Sequence, residues 1–414
     1  MDRYKEYRDS GIKWIGVIPK HWSLRRIKYI FSEIKDKSEN GLETPLSLSK
    51  DGGIIPFNEK KNKTMESASY VGGKIVHKGE IVFNRFKARL FAVSSYDGIV
   101  SSDYAVYKCK KSASSKYMVK LFGTDIYRDA FNRKASGIGD GFSRLYTDDL
   151  FAMYSIFPPL SEQEKIVSYL DDKTTKIDAY VADKEKEIQL LQELKQKTIA
   201  EAVTKGLNPN VKMKDSGIPW IGMIPEHWET KKISSLYTER REKVSDKEYP
   251  ALSVSKQGVT PQLETAVKTD NGDNRKKVCK GDFVVNSRSD RKGSCGVSPY
   301  TGSVSLINIV LSPRQNIEVQ YYHHLFRSND YIEEYYRIGR GIVADLWTTR
   351  YSEMRNIMVP FPPLDEQQAI VSFIEEKSQK IDTMVKELQA EIEHLKEYKQ
   401  RLIADVVTGQ VKVS

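Results

Sequence analysis

Two short runs hold the side chains best suited to reading a pattern of hydrogen-bond donors and acceptors. One is Asn84-Arg85-Phe86-Lys87-Ala88-Arg89 and the other is Asn286-Ser287-Arg288-Ser289-Asp290-Arg291-Lys292. Arg offers a planar fork of donors, Lys a mobile cation, and Asn and Ser both donate and accept. These are the groups that meet base edges in a DNA groove or neutralise its phosphates. Both runs are basic, both follow an Asn in the same local context, and they differ in detail. Two readers of different targets would take that form. Ser49-Lys50 and Ser255-Lys256 also lead into variable loops, as do Gly137-Ile138-Gly139 with Arg144 and Gly339-Arg340-Gly341 with Arg350. Glycine there lets backbone approach a phosphate, and a plain turn would use it equally well. The expected nucleic-acid contacts are therefore Ser49, Lys50, Arg85, Lys87, Arg89 and Arg144 in the first half of the chain. In the second half they are Ser255, Lys256, Arg288, Arg291, Lys292, Arg340 and Arg350. Lys60, Lys61 and Lys63, and the run Arg275-Lys276-Lys277, read as phosphate neutralisers.

Residues for covalent chemistry are hard to find. An adenine methyltransferase needs a polar residue ahead of Pro-Pro to hold the target amino group. The words here are Phe157-Pro158-Pro159-Leu160 and Phe361-Pro362-Pro363-Leu364, and Phe cannot make that bond. They read as rigid connectors, since Pro presets the backbone and ends a strand. No glycine-rich fingerprint for S-adenosylmethionine and no phosphate loop is visible. Glu193-Leu194-Lys195 resembles part of a nuclease triplet but lies inside a helical pattern, where a solvated face explains it better. Cys109, Cys279 and Cys295 form no CxxC pair, and with 6 histidines they give no zinc spacing. No catalytic residue, metal ligand or cofactor is expected on this chain.

The elements that must position the basic runs are written twice. Asp9–Trp22 reads DSGIKWIGVIPKHW and Asp215–Trp228 reads DSGIPWIGMIPEHW. FPPLSEQEKIV from Phe157 matches FPPLDEQQAIV from Phe361, and KQKTIAEAVTKG from Lys195 matches KQRLIADVVTG from Lys399. The period, about 205 residues, is too long for a solenoid and implies a duplicated domain pair. Framework words recur between these ends: PLSLSK and PALSVSK, KGEIVFN and KGDFVVN, YDGIVS and YTGSVS. They suit short strands after turns. Trp14, Trp22, Trp220 and Trp228, with His21 and His227, sit in this fixed context. Residues common to both halves cannot tell two targets apart, so they read as core or docking groups.

After each Pro-Pro comes a helix start, with Ser161 or Asp365 as cap and Glu164 or Gln368 three residues on as a capping box. No Gly or Pro follows until Gly206 or Gly409. Each helix could run about 44 residues, or about 66 Å. Apolar residues repeat by sevens: Ile166, Leu170, Ile177, Val181, Ile188, Leu191 and Leu194 in the first, interrupted by Lys184 and Thr198. The second has Ile374, Ile381, Leu388, Leu395 and Leu402 in one line, with Ile370, Met384, Val385 and Ile392 beside it. This is a coiled-coil seam, and pairing the two helices is the simplest way to bury it. The expected seam rests on Leu170, Ile177, Leu191, Ile374, Ile381, Leu388, Leu395 and Leu402.

The chain has 414 residues and a formal net charge of +10. The expected segments are 1–160, 161–205, 206–360 and 361–414, with net charges of +10, −2, +5 and −3. Basic globular parts and acidic helices put a polyanion on the former and protein partners on the latter. No apolar run is long enough to span a membrane and the N-terminus lacks a signal-like stretch, so a cytoplasmic protein is expected.

The ordered set, occurring twice, resembles the specificity subunit of type I restriction–modification systems over essentially the whole chain. The resemblance implies an α+β fold with two similar α/β target recognition domains, one per half of a split, asymmetric double-stranded DNA site. A long helix follows each domain, and the two helices pair as an antiparallel coiled coil with pseudo-twofold symmetry and space the domains. It also implies two modification subunits docked on the helices and restriction subunits as further partners. S-adenosylmethionine and ATP would be bound by those partners only. The competing readings are a methyltransferase or nuclease with unrecognised motifs, and a coiled-coil interaction protein.

Overall fold

The computed structural model describes residues 2–49, 53–60, 69–86, 90–137, 143–262, 272–288, 291–341 and 347–413. The chain forms two compact units, Met1–Lys184 with Ala390–Ser414, and Glu185–Gln389.

The first unit is built on a four-stranded antiparallel sheet, in the order Phe31–Ile34, Tyr104–Cys109, Ile81–Asn84, Phe91–Val93. Period-two alternation sends Ile81 and Phe83 to one face and Val82 to the other. The first face meets Phe31, Tyr107, Phe122 and Phe131, beneath helices Ser115–Phe122 and Asp125–Lys134. The second meets Leu46, Ile54, Val76 and Val100. A strand buried on both faces must be apolar throughout, which is why Ile81-Val82-Phe83 shows no polar residue. Asn84 is the first residue of that strand free to be polar, and it marks the strand's end.

The second unit repeats this order with Tyr237–Glu239, Asn308–Pro313, Phe283–Asn286 and Cys295–Val297. Phe283, Tyr237, Tyr322 and Phe326 fill one face, and Val284 turns to Leu252, Val278 and Val304 on the other. Helices Val319–Phe326 and Asn329–Arg337 take the places of the first unit's pair.

The long helices run Leu160–Lys205 and Leu364–Val407. They start one residue before the expected caps. Pro159 O accepts the amide N–H groups of Glu162 (2.9 Å) and Gln163 (3.0 Å), which places Ser161 inside the first turn rather than at the cap. The acidic and amide residues of each FPPL-x-EQ word therefore make tertiary bonds. Glu162 accepts from Trp22 Nε1 (3.0 Å), and its other partners are His21 (2.9 Å) and the Tyr4 hydroxyl. Glu366 repeats the bond to Trp228 Nε1 (2.9 Å) and pairs with His227 (2.6 Å). Gln163 donates to Pro158 O and accepts from Ser114 N, while Gln367 donates to Pro362 O and accepts from Glu318 N. Trp22 and Trp228, with His21 and His227, are thus clamps between the lead-in segments and the helix start, whereas Trp14 and Trp220 pack on Tyr127 and Tyr331.

In each unit the helix segments lie antiparallel. Lys399 pairs with Asp178 at 2.6 Å in the first, and Lys195 with Asp382 at 2.7 Å in the second. Of the expected seam, Leu170, Ile374, Ile381 and Leu402 are buried, and Ile177, Leu191, Leu388 and Leu395 are half-buried. Leu194 and Met384 are exposed, at 52% and 46%. A helix of 3.6 residues per turn drifts off a strict seven-residue line, so a position beside the seam can rotate outward. Lys184 stays on the line and reaches Glu391 at 3.6 Å.

Helix ends also close the globular cores. Leu402, Val406 and Val407 pack beside Tyr117 in the first unit, whose hydroxyl donates to Val407 O at 2.8 Å. In the second unit Ala202 and Val203 take these places, and the Tyr321 hydroxyl donates to Val203 O at 2.7 Å. A fragment spanning 212–414 lacks Ala202 and Val203 but carries Val406 and Val407, their counterparts. It is expected to dimerise at micromolar concentration, each copy supplying the other's missing helix end. Sedimentation equilibrium checks this, and a stable folded monomer would contradict it.

Candidate nucleic-acid interface

In the first unit three segments converge where strand Ile81–Asn84 ends. Asn84 Oδ1 accepts Phe86 N at 2.8 Å, turning the chain sharply out of the sheet. Leu145 N donates to Arg85 O at 3.0 Å, and Ser136 and Arg144 exchange two backbone hydrogen bonds of 3.0 and 2.9 Å. Arg85 and Phe86 are therefore brought beside Arg144 and Leu145, some 60 residues away in sequence.

Arg144 is the projecting cation there. Its guanidinium lies 4.4 Å from the centre of the Phe86 ring and 3.4 Å from Asp103, and its side chain is 43% exposed. A guanidinium stacked on a ring and steered by one carboxylate is oriented before any partner arrives. Arg85 is placed differently. It turns inward to Glu33 (3.0 Å) and Thr147 (3.4 Å) and is 20% exposed. The same Glu33 oxygen accepts from the Thr147 hydroxyl (3.1 Å) and from Lys74 (3.5 Å). Arg85 thus ties the loop to the sheet. Lys87, Arg89 and Lys50 lie outside the described residues, and Ser49 ends strand Leu46–Ser49 of a separate hairpin.

The second unit builds the same surface with other side chains. Asn286 Oδ1 accepts Arg288 N at 3.1 Å, Thr349 N donates to Ser287 O at 3.1 Å, and Arg340 and Thr348 exchange bonds of 2.9 and 3.0 Å. Arg288, Arg291, Arg340 and Arg350 are exposed. Lys292 is held by Glu333 at 2.6 Å and lies 4.7 Å from the Tyr336 ring centre. Tyr336 in turn packs on Trp347, whose Nε1 donates to the Tyr336 carbonyl at 3.0 Å. The pocket beneath, lined by Asn286, Arg288, Tyr336 and Trp347 among others, measures about 20 Å³. That space admits a water and not a nucleobase. Arg350 caps the short helix Tyr351–Met354. Ser255 and Lys256 occupy a hairpin tip, where Arg327 donates to Lys256 O.

Sequence reasoning missed Phe86, Tyr336 and Trp347, the rings that shape both surfaces, and Glu33 and Glu333, which hold the cations. Arg275 and Lys276, expected on phosphates, are instead structural. Arg275 is buried on Ser303, and Lys276 lies 3.3 Å from Glu239 and 2.8 Å from Asn308 O. Lys61 and Lys63 lie outside the described residues.

Both FPPL words join a strand to a helix. Phe157 and Phe361 end strands Tyr154–Phe157 and Met358–Phe361, with Arg25 and Lys231 over their rings at 4.2 and 3.6 Å. Burial pushes the thiols of Cys109 and Cys295 up to about 12. His323 and His324 fall to about 3 and 4, first through burial and then through neighbouring charge, and stay neutral. Among the described residues no group of three or more His, Cys, Asp or Glu could hold a metal ion, and no helix is long and apolar enough to cross a membrane.

One α+β framework, built twice, thus bears two different polar surfaces. Residues 225–394 match the family model described as the type I restriction modification DNA specificity domain. The MjaX specificity subunit of Methanocaldococcus jannaschii, named as a type I restriction enzyme component, is 26% identical over 270 residues, 62% of this chain. The type I restriction enzyme EcoBI specificity subunit of Escherichia coli is 23% identical over 292 residues, 65% of this chain. The matched stretches span 59% and 60% of those relatives' own lengths. A chain solved in work on complex assembly and conformational transition of the type I R-M system shares the fold, with a TM-score of 0.67 at 15% identity. That match covers 95% of this chain and 99% of that one. The chain is therefore similar in sequence to type I restriction–modification specificity subunits over more than half of its length.

Two substitution sets follow from the two surfaces. Arg144→Ala is expected to weaken recognition of one half-site and Arg288→Ala that of the other. A lost base contact costs about 1–3 kcal/mol at one position, whereas a lost phosphate contact lowers the salt slope by about 1 for every sequence. Competition binding with half-site variants reads this, and equal effects of either substitution on both half-sites would contradict it. Glu33→Ala strands Lys74 and Arg85 and should cost about 3 kcal/mol in urea unfolding. An unchanged midpoint would mean that Glu33 does not anchor the loop.

Proposed function

We propose that this chain reads DNA for a type I restriction–modification enzyme, each unit contacting one half of a split site in double-stranded DNA. The observation that carries this reading is the surface built twice on one framework: Asn84 and Asn286 make the same turn, and different cations follow. A protein binding DNA without regard to sequence would have no reason to vary one loop and hold the other strands fixed. The family match and the basic charge of both globular segments support it.

On this reading the chain is a non-catalytic subunit acting in the cytoplasm. Two modification subunits bind S-adenosylmethionine and transfer the methyl group, and restriction subunits use ATP to cleave unmodified DNA. This chain's part is to place the target adenine-bearing segments relative to those partners, which needs rigid loops and a stable scaffold rather than an acid, a base or a nucleophile. The relatives' names, as specificity subunits of restriction enzymes, point the same way.

The test uses radiolabelled S-adenosylmethionine and genomic DNA. The purified chain alone is expected to transfer no methyl group and to retain no cofactor on gel filtration. Co-purified with the modification subunit of the same system, it is expected to direct methylation to one bipartite sequence. Methyl transfer by the chain alone would overturn the proposal.

A further inference from the structure

We propose that the second unit reads the C5-methyl group of a pyrimidine through the exposed pair Leu306 and Ile307. This rests on the reading that each unit meets one half of a split DNA site, and it names a chemical feature of the half that the second unit meets.

Strand Asn308–Pro313 is entered through a tight turn. Asn308 N donates to Ser305 O at 3.0 Å, and Asn308 Nδ2 donates to the same oxygen at 3.1 Å. Leu306 and Ile307 form the tip of this turn, 39% and 38% exposed. The turn lies beside the end of strand Phe283–Asn286. Asn286 pairs with Asn308 in the sheet, and the Ser287 hydroxyl donates to Ile307 O at 2.5 Å. Arg288, the next residue, is exposed and bridges to Thr348. The two aliphatic side chains therefore adjoin the surface that carries the second unit's cations.

The first unit makes the same turn with polar residues. Tyr104 N donates to Ser101 O at 3.1 Å, and the tip is Ser102 and Asp103, both exposed. Asp103 lies 3.4 Å from Arg144, which stacks on Phe86. Sheet register and the bridges Ser136–Arg144 and Arg340–Thr348 set Phe86, Asp103 and Arg144 of one unit against Arg288, Ile307 and Thr348 of the other. A ring, a carboxylate and a cation in the first unit thus answer to a cation, an aliphatic group and a methyl-bearing hydroxyl in the second.

The fold does not require this exchange, since Ser102 and Asp103 close the same turn. Turn tips are ordinarily polar, and Leu with Ile at one leaves apolar area in water that a partner could cover. Base edges in the major groove carry one apolar substituent, the C5-methyl of thymine; their other features are hydrogen-bond donors and acceptors. Ser287 and Arg288 beside the pair offer the polar contacts that would seat it against a base edge or a phosphate. A surface for a partner common to both units would carry like residues in both turns. This pair instead changes together with the other two positions, as an element that tells two half-sites apart must.

The experiment uses the full chain and the bipartite duplex that it selects from random sequence. Deoxyuridine, which pairs like thymidine and lacks only the methyl, replaces thymidine in one block at a time. The parent is expected to bind about fourfold more weakly when the block read by the second unit is changed, the effect of one buried methyl. The double variant Leu306→Ser/Ile307→Ser should bind the unmodified duplex about fourfold more weakly than the parent and lose nothing further with deoxyuridine in that block. Its unchanged base preference in the other block reports that it folds. Leu306→Met/Ile307→Val should keep the parent's response. 5-Methylcytosine carries the same methyl: if deoxyuridine has no effect but 5-methylcytosine in place of cytosine tightens binding, and the serine pair abolishes that gain, the methyl belongs to a modified cytosine. No response to either base, or an equal response in the parent and the serine variant, would overturn the proposal. Unchanged DNA binding by the serine variant with loss of a partner subunit would overturn it in favour of a protein contact. Failure of the parent to select any sequence would instead sink the functional reading on which it rests.

Discussion

The architecture depends on how each globular core is closed. A sheet with aromatic residues on one face and aliphatic residues on the other still leaves one side of the aromatic layer open. Two antiparallel helix segments cover it: the start of the helix that follows the domain, and the end of the other helix. Ile166 and Leu170 with Val406 and Val407 do this in the first unit, and Ile370 and Ile374 with Ala202 and Val203 in the second. The tyrosine hydroxyls that donate to Val407 O and Val203 O fix the register of the closing segment. In this chain each half's core is closed by a helix end from the other half. The repeat therefore serves folding as well as presenting two surfaces.

This closure explains which residues stay fixed and which vary. The FPPL-x-EQ word joins the last strand to the covering helix, and its Glu and Gln clamp the tryptophan of the lead-in segment and the cap of helix Ser115–Phe122 or Val319–Phe326. Any change there would loosen the lid of the core. The described residues after Asn84 and Asn286, Arg85 and Phe86 in one unit and Ser287 and Arg288 in the other, lie beyond the ends of strands whose interior is buried on both faces and are not themselves among the buried core residues. They are held instead by local devices that differ between units: an inward Arg85 on Glu33 in one, and Lys292 on Glu333 beside a stacked Tyr336 and Trp347 in the other. A fixed frame with locally braced loops lets the surface change without cost to the fold.

Much of this was legible in the sequence because repetition exposes constraint. The two helices, the short strands and the buried role of Trp22 and Trp228 follow from words that recur at one offset. What was not legible depends on where side chains turn. Arg85 sits in the expected basic run, yet only the fold shows its guanidinium facing Glu33, about 50 residues earlier in the chain. Arg275 looked like a phosphate contact because charge in a sequence gives no inward or outward direction. Leu194 and Met384 fit a seven-residue pattern but face solvent, since the pattern marks a stripe and not its edge. Phe86 and Trp347 gave no signal of their own, because an aromatic residue in a variable segment is as easily core as platform.

The most direct measurement is selection of bound sequences from a random duplex library by the full chain, followed by sequencing. Two framed surfaces with different cations should enrich two unlike blocks of specified bases, separated by a gap of fixed length and unspecified sequence. Enrichment of a single continuous block, of a perfect palindrome, or of no sequence at all would contradict the reading of this chain as two different readers on one repeated frame.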